Sequence, residues 1–530
     1  MRNFQPSSRL LARALVAALG LLLPGAPLAA PAARSRATDS PSRLAAAIDA
    51  ILAEPGARQS DWGILIVDQQ TGEILYQRNP AHYFIPASNA KLFTSALALA
   101  SLGPDFRWRT TLETSGETDS AGTLHGDLVL VGRGDPNLSN RKFPFGEKEE
   151  FEGPPEKALA DLADQAVAGG LKRIAGDVVA DDTYFSYERY PPGWSVGDLT
   201  REYGAAVSAI VVDDNAVEVD VAPGGRVGDP ASFQVLPWAG FYRFADRAAT
   251  VAAGSQTQVD LWREPDALEV TLSGQIPLDA QPVKLQLAVE QPARYAATLL
   301  KRLLEQRGVA VYGQSRALHW LPGEPAPQPP PRRVVAEHLS PTLAQAVRYL
   351  LKVSQNLHAE CLLRTVACEK TGVGSRRNGL EFERQFLSGI GVADDVVLFD
   401  GSGLSRSDLV TPEAVVALLR YAASQTWAPT YLNALPVAGR DGTLEHRMND
   451  TPAEGRLFAK TGTLVHDSSL SGYATTVSGR HLVFSIFANN DPPDERITPF
   501  VDRIAAAMVT GLGASPPPAK PSMRRPDSTP

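Results

Sequence analysis

Two strand-like runs near the N-terminus and three near the C-terminus are separated by most of the chain, and this order constrains the fold more than any single motif. Trp62–Asp68 and Glu73–Gln77 flank the turn Gln70-Thr71-Gly72, a β-hairpin signature. Late in the chain come Arg456–Lys460, Leu470–Val477 and His481–Ala488, the last two joined at Ser478-Gly479-Arg480. Helical patterns flank both groups. One runs from Ser42 to Ala53. Another opens at Pro86-Ala87-Ser88 and continues through Leu92, Phe93, Ala96, Leu97, Leu99 and Ala100 to Gly103, apolar nearly all round as a buried helix is. Ser340 and Pro341 start a helix to Val353, a second covers Asn356–Glu369, Thr411-Pro412 opens one to Ala423, and a last one covers Asp494–Leu512. Between the two groups, 105–331 alternates short strands with Gly and Pro turns: Leu128–Val131, Asp177–Ala180, Val217–Val221, Ser232–Leu236, Ala267–Leu272 and Val283–Leu287. The Pro-rich stretch 325–331 closes it. This is the pattern of an insertion into a host domain. It predicts an α+β multidomain chain whose central antiparallel sheet is flanked by helices, with the host in two parts (41–104 and 332–513). One or two β-rich domains lie in between, and a disordered tail covers 514–530.

The first thirty residues read as a secretory leader. Arg2, Arg9 and Arg13 precede a mostly apolar run from Leu10 to Leu23, and small residues follow from Ala26 to Ala33. The run is short for a membrane span and Pro24 and Pro27 interrupt its end. The expected location is therefore outside the cytoplasm, in the periplasm, with at most peripheral membrane contact. The net charge of −8 becomes more negative once that basic leader is gone, which disfavours nucleic acid and anionic lipid as partners. Cys361 and Cys368 lie two helical turns apart, roughly 10 Å, too far for a disulfide. Both are read as buried small hydrophobes.

Ser88-Asn89-Ala90-Lys91 is an S-x-x-K, and on a helix i and i+3 share a face. A serine hydroxyl needs a base. Lysine serves when burial keeps its amine neutral, and the positive end of a helix also disfavours the ammonium. Ser354-Gln355-Asn356 is an S-x-N between two helices. Lys460-Thr461-Gly462-Thr463 ends a strand-like run. Its lysine and hydroxyls suit a carboxylate, and Gly462 permits close backbone approach. The N–H after that glycine, with the N–H of Ser88, would make an oxyanion hole. Two look-alikes read as structural. Ser139-Asn140-Arg141-Lys142 sits in a polar loop, and Lys370-Thr371-Gly372 fits a helix C-cap. The Arg133-Gly134-Asp135 triplet is set aside as an adhesion signal. There is no H-E-x-x-H, C-x-x-C, G-x-S-x-G or phosphate loop, so no metal or cofactor is expected.

The ordered set S-x-x-K, S-x-N, K-T-G resembles that of penicillin-recognising serine enzymes. The long stretch from Lys91 to Ser354 resembles the low-molecular-mass class C penicillin-binding proteins. These are the D-alanyl-D-alanine carboxypeptidase/endopeptidase group of the penicillin-binding protein 4 type, which carry domains inserted between the first two motifs. Gly134-Asp135-Pro136, Asp181-Asp182, Pro192-Gly193-Trp194 and Asp400–Arg406 are further family-like phrases. Gln355 departs from the acidic residue usual at that place. The resemblance implies a penicillin-binding (β-lactamase/transpeptidase-like) domain and these roles. Ser88 attacks the penultimate D-Ala carbonyl and Lys91 takes its proton. Ser354 relays a proton to the leaving amine, and Asn356 orients the substrate amide and Lys91. Lys460 supports the electrostatics, while Thr461, Gly462 and Thr463 hold the substrate. It implies peptidoglycan peptides ending in D-Ala-D-Ala as substrates, β-lactams as covalent inhibitors, and no cofactor or metal. Oligomeric state is not encoded in these motifs. Two competing readings are a β-lactam-hydrolysing enzyme on the same core and a non-catalytic wall-binding scaffold.

Overall fold

The computed structural model describes residues 41–491 and 497–510; the expected leader and tail lie outside them. Five strands form the central sheet. They are β1 (Asp61–Asp68), β2 (Ile74–Arg78), β3 (Leu457–Leu464), β4 (Asp467–Thr475) and β5 (His481–Asn489), in the order β2-β1-β5-β4-β3. Every pairing is antiparallel. The two ends of the chain thus meet at β1 and β5, where Ile64 faces Ile486.

Both faces of this sheet are covered, and the sequence shows why. Alternate residues of a strand point to opposite faces. On β1, Leu65 and Val67 join one apolar cluster, while Trp62, Ile64 and Ile66 join another. On β5, Val483 and Phe487 go to the first, and Leu482, Phe484 and Ile486 to the second. The strands therefore read as nearly continuous apolar runs. Helix α1 (Pro41–Leu52) and the last helix, Thr498–Thr510, cover one face through Leu44, Ile48, Ile504 and Met508. Helix α2 (Ala90–Leu102) lies in the other cluster and is buried on all sides from Ala90 to Leu99. Around it pack α3 (Leu343–Val353), α4 (Asn356–Thr371) and α5 (Arg376–Ile390).

The middle of the chain is rich in strands, as its alternation predicts. Leu128–Val131, Val178–Ser186, Ser315–Trp320, Arg109–Thr114 and Arg333–Leu339 make a five-stranded mixed sheet. Ala216–Ala222, Ser232–Leu236 and Val283–Ala288 make a three-stranded one. Strand Arg333–Leu339 lies just past position 331 yet pairs with Arg109–Thr114. Two helices depart from the all-strand reading, Lys157–Ala168 and Pro292–Gln306. The second buries Ala293, Ala296, Leu300, Leu303 and Leu304, an i, i+3, i+4 stripe that the strand-by-strand pattern obscured.

Other departures are local. The cap of α3 is Thr342, which accepts from the Gln345 N–H, and not Ser340. The Ser340 hydroxyl instead accepts from Trp108 N–H at 2.9 Å. Helix α5 had no counterpart in the sequence reading. Both cysteines are free, but only Cys361 is fully buried; Cys368 is partly exposed on the last turns of α4. Among the described residues no helix is long and apolar enough to cross a membrane.

Candidate active site

Ser88 sits one step outside the expected helix. Ala87–Asn89 form a 3-10 turn that runs straight into α2. Ala87 has φ +47, a left-handed conformation that costs a non-glycine residue of order 1 kcal/mol and is sustained only by its surroundings. Those surroundings are explicit. Asn89, inside the S-x-x-K, donates to the Lys460 carbonyl at 3.3 Å and to Ser469 Oγ at 2.6 Å. Ser469 Oγ in turn donates to the Pro86 carbonyl at 2.7 Å. The nucleophile turn is therefore stitched to β3 and β4.

The turn carries Lys91 beneath Ser88. Lys91 Nζ is fully buried and lies 2.8 Å from Ser88 Oγ, 2.6 Å from Asn356 Oδ1 and 2.6 Å from the Ser402 carbonyl. Two of these three partners can only accept. A neutral amine has two N–H donors and one lone pair, so the donors go to Asn356 and Ser402 and the lone pair is left facing the Ser88 hydroxyl. Burial supplies the neutrality. It brings Lys91 down to about 7 against the opposing pull of Asp400, Glu360 and Asp408.

The second and third motifs close the site. Ser354 ends α3 with φ +66, and its Oγ accepts from Lys460 Nζ at 2.8 Å. Lys460 is buried and lies well below an ordinary lysine, first through burial and then through the nearby Lys91. Thr461 Oγ1 is 2.7 Å from Thr443 Oγ1, and Thr463 is exposed on the same strand. Strand β3 is a sheet edge; Pro436–Ala438 bond to its start at Leu457 and Ala459, and the Lys460–Thr463 part lies beyond that pairing. Gly462 brings this edge against the serine. A Cβ there would lie 2.2 Å from Ser469 Oγ, 2.8 Å from the Pro86 carbonyl oxygen and 3.0 Å from the Ser88 nitrogen.

Contacts thus link Ser88, Lys91 and Asn356, join Ser354 to Lys460, and bring the Gly462 edge of β3 against Ser88, whereas the look-alikes lie apart. Ser139 Oγ accepts from Arg141 N–H while Lys142 reaches out to Glu150 at 3.8 Å. Gly372, at φ +76, caps α4. Asp135 is completely buried, which takes the carboxylate of the Arg-Gly-Asp triplet off the surface. The Gln355 side chain caps α4 through Leu357 N–H and donates to Asp214 Oδ2 at 3.1 Å. Sequence reasoning missed three contributors. The Ser402 carbonyl is a backbone atom, signalled only by the phrase Asp400–Arg406. Thr443 carried no signal. The Tyr203 carbonyl, 2.8 Å from Asn356 Nδ2, comes from the strand-rich middle of the chain.

A serine and a buried lysine on a helix start, faced by S-x-N and by a K-T-G edge strand, define a serine–lysine hydrolase site on a β-lactamase/transpeptidase-like core. Residues 44–508 match the D-Ala-D-Ala carboxypeptidase 3 (S13) family, and the chain belongs to that family. Among curated proteins it is 37% identical over 517 residues to "D-alanyl-D-alanine carboxypeptidase" of Actinomadura sp. (strain R39), covering 95% of this chain and 91% of that one. It is 28% identical to "D-alanyl-D-alanine carboxypeptidase DacB" of Haemophilus influenzae, over 81% of this chain and 85% of the relative. Among solved structures, that of penicillin binding protein 4 (dacB) from Haemophilus influenzae superposes with a TM-score of 0.73 at 25% identity. The match covers 86% of this chain and 97% of that one.

Proposed function

We propose that this protein removes the terminal D-Ala from, or cuts D-alanyl cross-links between, peptidoglycan stem peptides through an acyl-enzyme on Ser88. The observation that carries the assignment is the three-way coordination of Lys91 Nζ, which leaves its lone pair for the Ser88 proton. As Lys91 takes that proton, Ser88 Oγ attacks the penultimate D-Ala carbonyl. The developing oxyanion is held by the Ser88 N–H and the N–H following Gly462. Ser354, whose oxygen accepts from Lys460 Nζ, relays the proton taken up by Lys91 on to the leaving amine, and Lys460 supports the electrostatics. Asn356 holds the substrate amide, and Thr461 and Thr463 receive its carboxylate. Water then hydrolyses the ester. The edge of β3 past Ala459 suits an extended peptide laid alongside it. β-Lactams, which share the D-Ala-D-Ala shape, acylate the same oxygen.

Residues 105–331 are taken as the insertion that divides the peptidase part, and the basic, apolar leader supports an exported, periplasmic enzyme. The assignment is tested by D-Ala release from a diacyl-L-Lys-D-Ala-D-Ala peptide. Wild type is expected to release D-Ala and Ser88→Ala to release none. Undiminished release by Ser88→Ala would remove Ser88 from the mechanism.

A further inference from the structure

Both acceptors that aim Lys91 are themselves held by one stretch of the inserted region. From the geometry we infer that residues 192–203 are a positioning element for Lys91, with Trp194 and Asp400 as positioning residues. The inference rests on the Ser88–Lys91 reading above.

The first arm runs through Asp400. Its Oδ1 accepts from Ser402 N–H at 3.0 Å and Gly403 N–H at 2.6 Å. Its Oδ2 accepts from Ser405 N–H at 2.7 Å, Ser402 Oγ at 3.2 Å and Trp194 Nε1 at 2.8 Å. This completely buried carboxylate thereby folds the loop that presents the Ser402 carbonyl to Lys91. Four of the five donors belong to the loop itself. The fifth comes from the inserted region, and the approach there is close. Gly193, at φ +87, has no room for a side chain, since a Cβ would lie 2.4 Å from Ser405 Oγ. The Gly193 carbonyl accepts from Arg406 N–H at 3.3 Å.

The second arm runs through Asn356. Its Nδ2 donates to the Tyr203 carbonyl at 2.8 Å, which fixes the amide so that Oδ1 faces Lys91. Turned the other way, the amide would set an N–H donor against the amine. The phrase Pro192-Gly193-Trp194 thus acquires a purpose that the three motifs do not give it.

The charges facing Lys91 are Asp400 and Asp408 on the loop, Glu360 on α4, paired with Arg364, and Lys460 on β3. Changing what Asp400 presents to Lys91 should therefore move the pH at which the amine becomes neutral, in a direction that depends on the change. In Trp194→Phe the carboxylate loses one donor and its negative charge is felt more strongly at Lys91. The acidic limb of the acylation profile then moves to higher pH. In Asp400→Asn that charge is gone and the limb moves to lower pH. Both variants lower the plateau rate, Trp194→Phe by about tenfold, because the lone pair is no longer held on the Ser88 proton.

The experiment is the acylation of the full chain by benzylpenicillin, resolved into binding and acylation constants across pH. Wild type, Trp194→Phe, Asp400→Asn and Ser88→Ala are compared, with thermal midpoints as the folding control. The expected result is an unchanged binding constant, a reduced acylation constant and opposite shifts of the limb, at a near wild-type midpoint for Trp194→Phe. If Asp400→Asn does not fold, Trp194→Phe carries the test alone. An effect on binding only, or an acylation profile identical to wild type, would overturn the inference. Acylation of Ser88→Ala would instead overturn the reading beneath it.

Discussion

At the scale of single residues, the site depends on keeping an amine unprotonated inside a cluster of buried carboxyl groups. Lys91 is opposed by Asp400, Glu360 and Asp408, yet burial prevails and brings it to about 7. Only the neutral amine takes the Ser88 proton, so the acylation rate should rise with pH through about 7 and then level off. Stopped-flow acylation across pH checks this. A limb near 10, the value of an ordinary lysine at about 10.4, would show that burial does not tune Lys91. Gly462 is the other sensitive position. Adding a methyl group there forces β3 away from the Ser88 nitrogen and Ser469 Oγ. Gly462→Ala should lower acylation by roughly a hundredfold, the effect of losing one oxyanion donor, while the fold persists. The same assay reads it, and an unimpaired variant would exclude this edge from the oxyanion site.

At the scale of elements, context separates real motifs from copies. The two K-T-G triplets have the same letters. Lys460 lies on an edge strand with its amine on Ser354 Oγ, whereas Lys370 lies in the last turn of α4 before the capping Gly372. Labelling by a fluorescent penicillin should therefore survive Lys370→Ala and fall about a hundredfold or more in Lys460→Ala. The reverse outcome would exchange their assignments. Much of this was legible in the sequence because side-chain type and period carry it. The hairpin strands, the buried α2 and the Thr411-Pro412 helix start follow from alternation, apolar runs and capping. What was illegible works through backbone atoms or distant partners. The Ser402 and Tyr203 carbonyls leave no compositional trace. Helix α5 buries only Gly379, Glu383 and Leu387 fully, too narrow an apolar face to stand out. Cys368 was placed inside by residue type alone, but its turn of α4 reaches the surface.

At the scale of the whole molecule, the proposed active site is assembled from remote parts of the chain around one sheet. The N-terminal segment supplies Ser88 and Lys91, and the junction of α3 and α4 supplies Ser354 and Asn356. The C-terminal strands supply Lys460 to Thr463. The closing of β1 against β5 fixes the first of these relative to the last. The middle of the chain completes the arrangement: Tyr203 bonds Asn356, and Trp194 bonds the Asp400 carboxylate that folds the Ser402 loop. This is why S-x-x-K alone, which also occurs by chance at Ser139–Lys142, says so little, and why order along the chain says so much. The central claim is that this assembly makes Ser88 a nucleophile for D-alanyl-type carbonyls. Its most direct test is intact-mass measurement and peptide mapping after exposure to benzylpenicillin. The account predicts one penicilloyl group per chain, located on Ser88 and absent from Ser88→Ala. An adduct on another residue, or no adduct on a folded wild-type chain, would contradict it.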